Sequence, residues 1–258
     1  MYDVLGAYRN YLMKSCRLRP ETARTYTNRL ENLFEEQDLF YTVEKLDLSK
    51  ILDKLSTIDY KNHYSQSKNA LFYFLQYQKM NLNEKQLEKI EVLENNTHRK
   101  YRKQKKINYQ EVQKKINHLR NQKLKLCYQA LLETGLRVSE LSQITSSNCK
   151  IFTEEIHFHF IGKGGNTEAV ILKKQDNSKL YEDLKEQIER TAPDKKVFYS
   201  AIYLQKNVVM IGCSCHDLRR ICAKLEYKKT KSKEAVMKKL RHTNMKTTDI
   251  YLKSKIKI

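Results

Sequence analysis

Near its carboxyl end the chain reads Leu240-Arg241-His242-Thr243-Asn244-Met245-Lys246-Thr247-Thr248-Asp249-Ile250-Tyr251. This stretch sets a tyrosine nine residues after a histidine. A tyrosine can act as a nucleophile, and a histidine can hydrogen-bond a phosphate oxygen, so the pair suggests phosphoryl-transfer chemistry. Because either residue alone is usually structural, the prediction depends on partners elsewhere in the chain.

Two upstream segments supply cationic partners. They are Thr134-Gly135-Leu136-Arg137-Val138-Ser139-Glu140-Leu141 and His216-Asp217-Leu218-Arg219-Arg220. A planar guanidinium donates two parallel hydrogen bonds to phosphate oxygens and keeps its charge, so Arg137 and Arg219 are candidates for a phosphate clamp. Beside guanidinium groups and a histidine, the weakly acidic phenol of Tyr251 would be activated as the nucleophile.

The remaining candidates follow from spacing and chemistry. His216 and Arg219 are three residues apart, so on one helix they face the same way. Glu140 stands at the same spacing from Arg137, and its carboxylate could orient that arginine or a neighbouring histidine. Lys163, in Gly162-Lys163-Gly164-Gly165, could deliver a proton to the leaving 5′ oxygen, and His242 would hydrogen-bond a non-bridging oxygen.

The acidic clusters of two-metal nucleases are not evident, so we expect a reaction without metal. Cys213-Ser214-Cys215-His216 suggests a metal site, but no second ligand pair stands at zinc spacing, and buried thiols are the preferred interpretation. Six scattered cysteines indicate reduced thiols rather than a disulfide framework.

Charge indicates a polyanionic partner. Fifty Lys plus Arg against thirty Asp plus Glu give a net charge of +20, which attracts nucleic acid. A bias of the source proteome towards Lys and Asn would raise the charge in the same way. No long apolar run or secretory signal is seen, so we expect a cytoplasmic protein without a membrane span.

The pattern predicts a mainly α chain with a small β-hairpin insert. Helices are expected through residues 1 to about 92, with one opened by Pro20 and another over about Tyr60–Met80. Further helices are expected at Leu124–Leu132, from Arg137 to Ile144, and around Lys179–Arg190, Asp217–Tyr227, Lys233–Leu240 and Thr248–Ser254. Ile156–Ile161 alternates apolar and polar residues, and the glycine-rich turn after it leads into the apolar run Ala169–Leu172, which predicts a β-hairpin with Lys163 at its rim. The basic run at 95–106 is predicted to be a linker, either lying on a phosphate backbone or solvated.

Together these motifs resemble those of the tyrosine recombinase, or phage integrase, family, over about Tyr8 to Tyr251. The resemblance implies a C-shaped, two-domain clamp on double-stranded DNA: a helical, SAM-like core-binding domain at 1–94, the linker, and a catalytic domain at 107–258. It also implies a 3′-phosphotyrosyl intermediate at Tyr251 and strand exchange through a Holliday junction in a homo-tetramer on two DNA sites. Rejoining would need neither ATP nor another cofactor. The length resembles that of compact Xer-like members.

Two positions depart from the family pattern. Arg241 stands where the family usually has the glycine of Leu-Gly-His, and Asn166-Thr167-Glu168 replaces the usual basic residues after the hairpin turn. The tail from Leu252 to Ile258 packs either on its own subunit or on a neighbour. Two other functions stay open: a catalytically silent DNA-binding protein, and a topoisomerase-like enzyme that relaxes DNA without pairing sites. No motif identifies the DNA sequence or an accessory protein.

Overall fold

The computed structural model divides the chain into an amino-terminal unit, residues 1–103, and a carboxyl-terminal unit, residues 104–258. It describes residues 4–34, 47–94, 106–162 and 165–258. Lys163 and all of the predicted linker except its last residue therefore lie outside the described residues. The division into a DNA-binding and a catalytic domain remains a prediction.

The amino-terminal unit is helical throughout its described part. Its helices are α1 (Val4–Lys14), α2 (Pro20–Glu31), α3 (Leu48–Ser56), α4 (Lys61–Tyr77) and α5 (Glu84–Glu94). Proline occupies the first turn of α2, where its missing N–H leaves no hydrogen bond unmade. Apolar side chains at helical spacing, including Leu30 and Phe74, form the core, and the Tyr8 hydroxyl donates to the Ala70 carbonyl at 2.7 Å.

The carboxyl-terminal unit is mainly helical with two small sheets. Its helices are α6 (Tyr109–Asn117), α7 (Gln122–Thr134), α8 (Val138–Leu141), α9 (Ser178–Glu189), α10 (Ala201–Asn207), α11 (Cys215–Thr230), α12 (Lys233–Leu240) and α13 (Met245–Leu252). The strands are β1 (Ile107–Asn108), β2 (Cys149–Ile151), β3 (Glu155–Ile161), β4 (Thr167–Lys173) and β5 (Ile256–Lys257). The predicted fold class, mainly α with a small sheet, is confirmed.

The predicted hairpin is confirmed and belongs to a three-stranded antiparallel sheet in the order β2-β3-β4. Alternate residues of β3, such as Ile156, Phe158 and Phe160, are buried against the helices, which is the expected period of a half-covered strand. The second sheet pairs β1 in parallel with β5, so the tail packs on its own subunit in this structure.

Several predicted boundaries require correction. The helix predicted from Arg137 to Ile144 is a single turn, α8, which Arg137 precedes as its N-cap. The last helix begins at Met245 rather than Thr248, because the Asn244 side chain accepts the Lys246 N–H at 2.8 Å and caps the helix there. The strands β1, β2 and β5 and the helix α10 were not predicted, since such short elements leave too few residues to show a period. The helix α6 was also not predicted, although its buried Val112 and Ile116 stand at helical spacing.

Candidate active site

Gly135 brings three helices of the site together. It ends α7 in a left-handed conformation, φ 62°, where its N–H donates to the Leu131 carbonyl. A Cβ at this position would lie 2.6 Å from Leu240 Cδ2 and 3.0 Å from Cys222 Sγ. Only a glycine therefore allows α11 and α12 to approach the segment that leads into Arg137.

Glu140 holds Arg137 in place. Its carboxylate accepts the backbone N–H of Arg137 at 2.8 Å and also the Nη1 group of the same residue. Burial, with 2% of the residue exposed, would by itself raise the pKa of this carboxyl, but the hydrogen bonds from Arg137 and the charges of Arg137 and Arg241 keep the pKa below its ordinary value. Of the two predicted roles for Glu140, its contacts favour orienting an arginine.

Among the residues that the structure describes, Arg219 is the largest fully buried side chain, with 1% exposed. Its two terminal nitrogens donate to the backbone carbonyls of Gly135 and Leu240, and Nη1 lies 4.0 Å from Glu140 Oε2. The Nε group has no hydrogen-bond partner among the described residues. Burial and the nearby charge of Arg137 lower the pKa of Arg219, yet a guanidinium stays protonated at neutral pH.

His216 lies in the first turn of α11, one turn before Arg219. The helix begins at Cys215 because Ser214 and Asp217 form a reciprocal capping box, at 3.1 and 2.9 Å. His216, Arg219 and Arg137 line one cleft of about 450 Å³, which confirms that the two α11 residues face the same way. Burial and the charges of Arg220 and Arg219 lower the pKa of His216, so its imidazole is neutral at pH 7.

Tyr251 packs between two histidine rings. The His216 and His242 rings meet it edge to face, with centroids 5.1 and 4.8 Å away, and the Arg220 guanidinium lies 5.9 Å from its centroid. Only 6% of Tyr251 is exposed, because α13 packs on α11 and α12. Tyr251 is thus close to the cleft but not open to it in the DNA-free chain.

His242 is buried and oriented by Thr248. Its Nδ1 lies 3.0 Å from the Thr248 hydroxyl, while Nε2 has no partner among the described residues. Burial, followed by the charges of Arg219 and Arg137, lowers the pKa of His242 from 6.5 to about 4. A neutral imidazole with one nitrogen unpaired is available to a substrate oxygen.

The structure brings most of the predicted site together. These residues, joined by the contacts above, are Arg137, Glu140, His216, Arg219, His242 and Tyr251. The placement of Lys163 lies outside the described residues. No cluster of three His, Cys, Asp or Glu side chains with the geometry of a metal site occurs in the described ranges, and none of the described helices has the length and apolar character of a bilayer span.

The sequence profile of the phage integrase family matches residues 105–257, which is more than half of the chain and contains every candidate site residue. The chain belongs to the phage integrase family. No curated protein gives a significant match to this integrase.

Solved structures of recombinases have the same fold as this integrase. XerH site-specific recombinase bound to palindromic difH substrate, in a post-cleavage complex, is 19% identical, with a TM-score of 0.67 over 96% of this chain and 80% of XerH. A lambda integrase fragment, in a dimer bound to a COC′ core site, is 15% identical, with a TM-score of 0.68 over 96% of this chain and 93% of the fragment. The Tn1549 transposon integrase, bound to transposon right-end DNA, is 13% identical, with a TM-score of 0.65 over 97% of this chain and 94% of that one.

Besides Thr248 and Arg220, described above, Arg241 contacts the site and Glu168 contacts Arg241, and none of these residues was predicted to belong to the site. Arg241 donates to Glu140 Oε2 at 3.1 Å, and its Nε lies 3.2 Å from Glu168 Oε2. In the sequence both Arg241 and Glu168 are visible only as departures from the family pattern. In the sequence, the opposite charges of Arg241 and Glu168 were the signal that could have predicted this ion pair.

Proposed function

We propose that this chain is a site-specific DNA recombinase, a tyrosine-type integrase that breaks and rejoins DNA strands. The observation that carries the proposal is the convergence of two arginines, two histidines and a tyrosine at the junction of α8, α11 and α13. These are the groups that phosphodiester transfer needs: a nucleophile and donors to both non-bridging oxygens.

In the proposed reaction the Tyr251 oxygen attacks the phosphorus of the scissile phosphate. The neutral imidazole of His216, which lies against the Tyr251 ring, takes the phenolic proton. A 3′-phosphotyrosyl bond forms, the bond to the 5′ oxygen breaks, and Lys163 supplies the proton that the leaving oxygen takes. Attack by a 5′ hydroxyl reverses these steps and releases Tyr251. The phosphotyrosyl bond retains the free energy of the broken linkage, so rejoining needs no ATP.

The cationic groups stabilise the charge that develops on the phosphate. Arg137 has 31% of its side chain exposed at the cleft, where it can reach one non-bridging oxygen while Glu140 holds its other edge. Arg219 is fixed from behind by two carbonyls, so little reorganisation accompanies the reaction. The unpaired Nε2 of His242 is the donor we assign to a non-bridging oxygen.

Because Tyr251 is buried in the DNA-free chain, we place a movement of α13 before cleavage. This helix has eight residues and packs on α11 and α12, so its displacement must separate Tyr251 from the apolar side chains of those two helices. DNA binding would supply the free energy of this change.

We further propose a homo-tetramer that pairs two double-stranded DNA sites and exchanges strands through a Holliday junction, with residues 1–94 as a second DNA-binding domain. A lambda integrase tetramer bound to a Holliday junction has the same fold as this chain, which supports this assembly. A DNA substrate also agrees with the cytoplasmic location expected from the sequence.

A Tyr251→Phe variant tests the chemical assignment. We expect it to bind a duplex carrying the recombination site with unchanged affinity, because the hydroxyl alone is lost. On a suicide substrate nicked near the cleavage position, wild-type protein should become trapped on the DNA in denaturing gels, in the presence of EDTA, and the variant should not.

Adduct formation by Tyr251→Phe would contradict the nucleophile assignment. A wild-type protein that binds DNA but forms no adduct would instead favour the catalytically silent DNA-binding protein. Relaxation of supercoiled plasmids that lack any defined site would favour the topoisomerase-like enzyme.

A further inference from the structure

Arg241 occupies an unusual backbone position for an arginine. It caps the end of α12 at φ 55° and ψ 46°, in the left-handed region that a residue with a Cβ adopts reluctantly. Glycine would form the same turn without this cost. The arginine side chain must therefore contribute contacts that offset the backbone conformation.

Those contacts link two carboxylates from different parts of the unit. Arg241 Nη2 donates a hydrogen bond to Glu140 Oε2 at 3.1 Å. Its Nε lies 3.2 Å from Glu168 Oε2, which is an ion pair that lacks the angle of a hydrogen bond. The third nitrogen, Nη1, donates to the Lys239 carbonyl at 3.1 Å, and the guanidinium lies 5.3 Å from the Phe160 ring centroid. With 14% of its side chain exposed, Arg241 makes these contacts largely away from water, where ion pairs are screened less.

Glu168 connects this guanidinium to the end of the β-hairpin. On β4 it stands opposite Phe160 of β3, one pair from the last rung of the ladder. A Cβ placed on Gly162 would lie only 2.1 Å from Glu168 Oε1, so the carboxylate runs close along the end of β3. The side chain of Glu168 therefore contacts the hairpin backbone at one edge and the Arg241 guanidinium at the other.

We propose that Glu168, Arg241 and Glu140 form a clasp that fixes the end of the β3–β4 hairpin against Arg137. Glu140 accepts from both Arg241 and Arg137, so a shift of the hairpin is transmitted to the phosphate clamp through one carboxylate. Arg241 is then a positioning residue for cleavage, and this catalytic consequence rests on the proposed function. The restraint that the clasp places on the hairpin does not depend on the proposed function.

An Arg241→Gly variant measures what the guanidinium contributes, because glycine can keep the same left-handed backbone conformation. It relieves the left-handed backbone while deleting the guanidinium, so an Arg241 whose side-chain contacts contribute nothing predicts a protein at least as stable and as active as wild type. Glu168→Gln removes the partner charge and keeps the volume. The double variant closes a thermodynamic cycle, and Arg190→Gln, which breaks an exposed ion pair to Glu186 on α9, is the control.

Hydrogen exchange tests, without DNA, whether the clasp restrains the hairpin. We expect amides of β3 and β4 to exchange about 10-fold faster in Arg241→Gly and in Glu168→Gln, with no further increase in the double variant, because coupled partners are not additive. Arg190→Gln should match wild type. Hairpin exchange at the wild-type rate in Arg241→Gly would overturn the clasp.

Cleavage at saturating suicide substrate tests the catalytic part. We expect Arg241→Gly to lower the rate constant about 10-fold while its DNA affinity changes less than about 3-fold, and Arg241→Lys to recover part of the rate because an ammonium can pair with one carboxylate. An unchanged rate constant would show that Arg241 does not position the clamp. If wild-type protein forms no adduct, the proposed function fails, whereas hydrogen exchange still decides whether the clasp exists.

Discussion

At the scale of single residues, the two clamp arginines differ in what surrounds them. Arg137 lies at the cleft and is held by one carboxylate, whereas Arg219 is buried and also binds two backbone carbonyls. Arg137 therefore serves mainly the reaction, whereas Arg219 supports both the reaction and the packing of α7 against α12.

Alanine substitutions should separate these contributions. Either Arg137→Ala or Arg219→Ala should slow cleavage on the order of 10²–10³-fold, as loss of one donor to a developing charge does. Arg219→Ala should also lower the free energy of unfolding by about 2–4 kcal/mol, since two buried carbonyls lose their donor and a cavity remains. Arg137→Ala should cost about 1 kcal/mol or less, because Glu140 keeps Arg241 as a partner. Urea denaturation checks the stabilities, and equal losses in both variants would contradict this distinction.

The buried His242 predicts a dependence of stability on pH. Its pKa in the folded protein is about 4, below the ordinary 6.5, so the unfolded chain binds the proton first as the pH falls. Its favourable contribution is therefore complete above pH 6.5 and is lost between about pH 6.5 and pH 4. The loss should be on the order of 1–3 kcal/mol.

Urea denaturation of wild type and His242→Gln across this pH range measures the effect. The carboxyls of Glu140 and Asp217, whose pKa values are also lowered, are present in both proteins and cancel in the difference. A difference in unfolding free energy that does not change between pH 7 and pH 4 would mean that His242 is readily protonated in the folded chain.

At the scale of elements, short capped helices place the chemical groups. α8 has four residues and α13 eight, so neither has enough internal hydrogen bonds to be stable without its cap and its packing. At the start of α8 the Glu140 carboxylate accepts the backbone N–H of Arg137, and at the start of α13 the Asn244 side chain accepts the backbone N–H of Lys246.

Removing the cap of α13 should disturb the helix that carries Tyr251. We expect Asn244→Ala to lower the free energy of unfolding by about 0.5–2 kcal/mol. Cleavage should slow by up to about 10-fold, because a frayed α13 places Tyr251 less often in line with the phosphate. Asn244→Asp should behave like wild type, since aspartate also caps a helix and favours its amino end. A suicide-substrate time course provides the rates, and an equal loss in both variants would assign Asn244 a role other than capping.

At the scale of the whole molecule, the net charge of +20 should make DNA binding strongly dependent on salt. If the protein contacts about 6–10 phosphates, its affinity should fall on the order of 10³–10⁵-fold between roughly 50 and 200 mM salt, as counterions are released. Titration of a labelled duplex at several salt concentrations gives the slope. A nearly flat slope would argue against extensive contact with the DNA backbone.

The sequence by itself determined the family, the mainly helical fold and the motifs that contain the candidate site residues. Helix periods, the Gly135 stop and the alternation of β3 are local signals, and Arg137, His216, Arg219 and Tyr251 stand in short motifs that can be read directly. The sequence did not predict the boundaries of α8 and α13, because capping residues rather than the apolar period set the ends of these short helices.

Only the tertiary structure decided how the site is supported. Arg219 bridges Gly135 and Leu240 across α7 and α12, and Arg241 meets Glu168 across a gap that no local pattern spans. The tail on β1 and the burial of Tyr251 likewise follow from packing between distant segments. Spacing in a sequence fixes which residues share an element, but a contact between elements depends on how their surfaces pack, and that is a property of the folded chain.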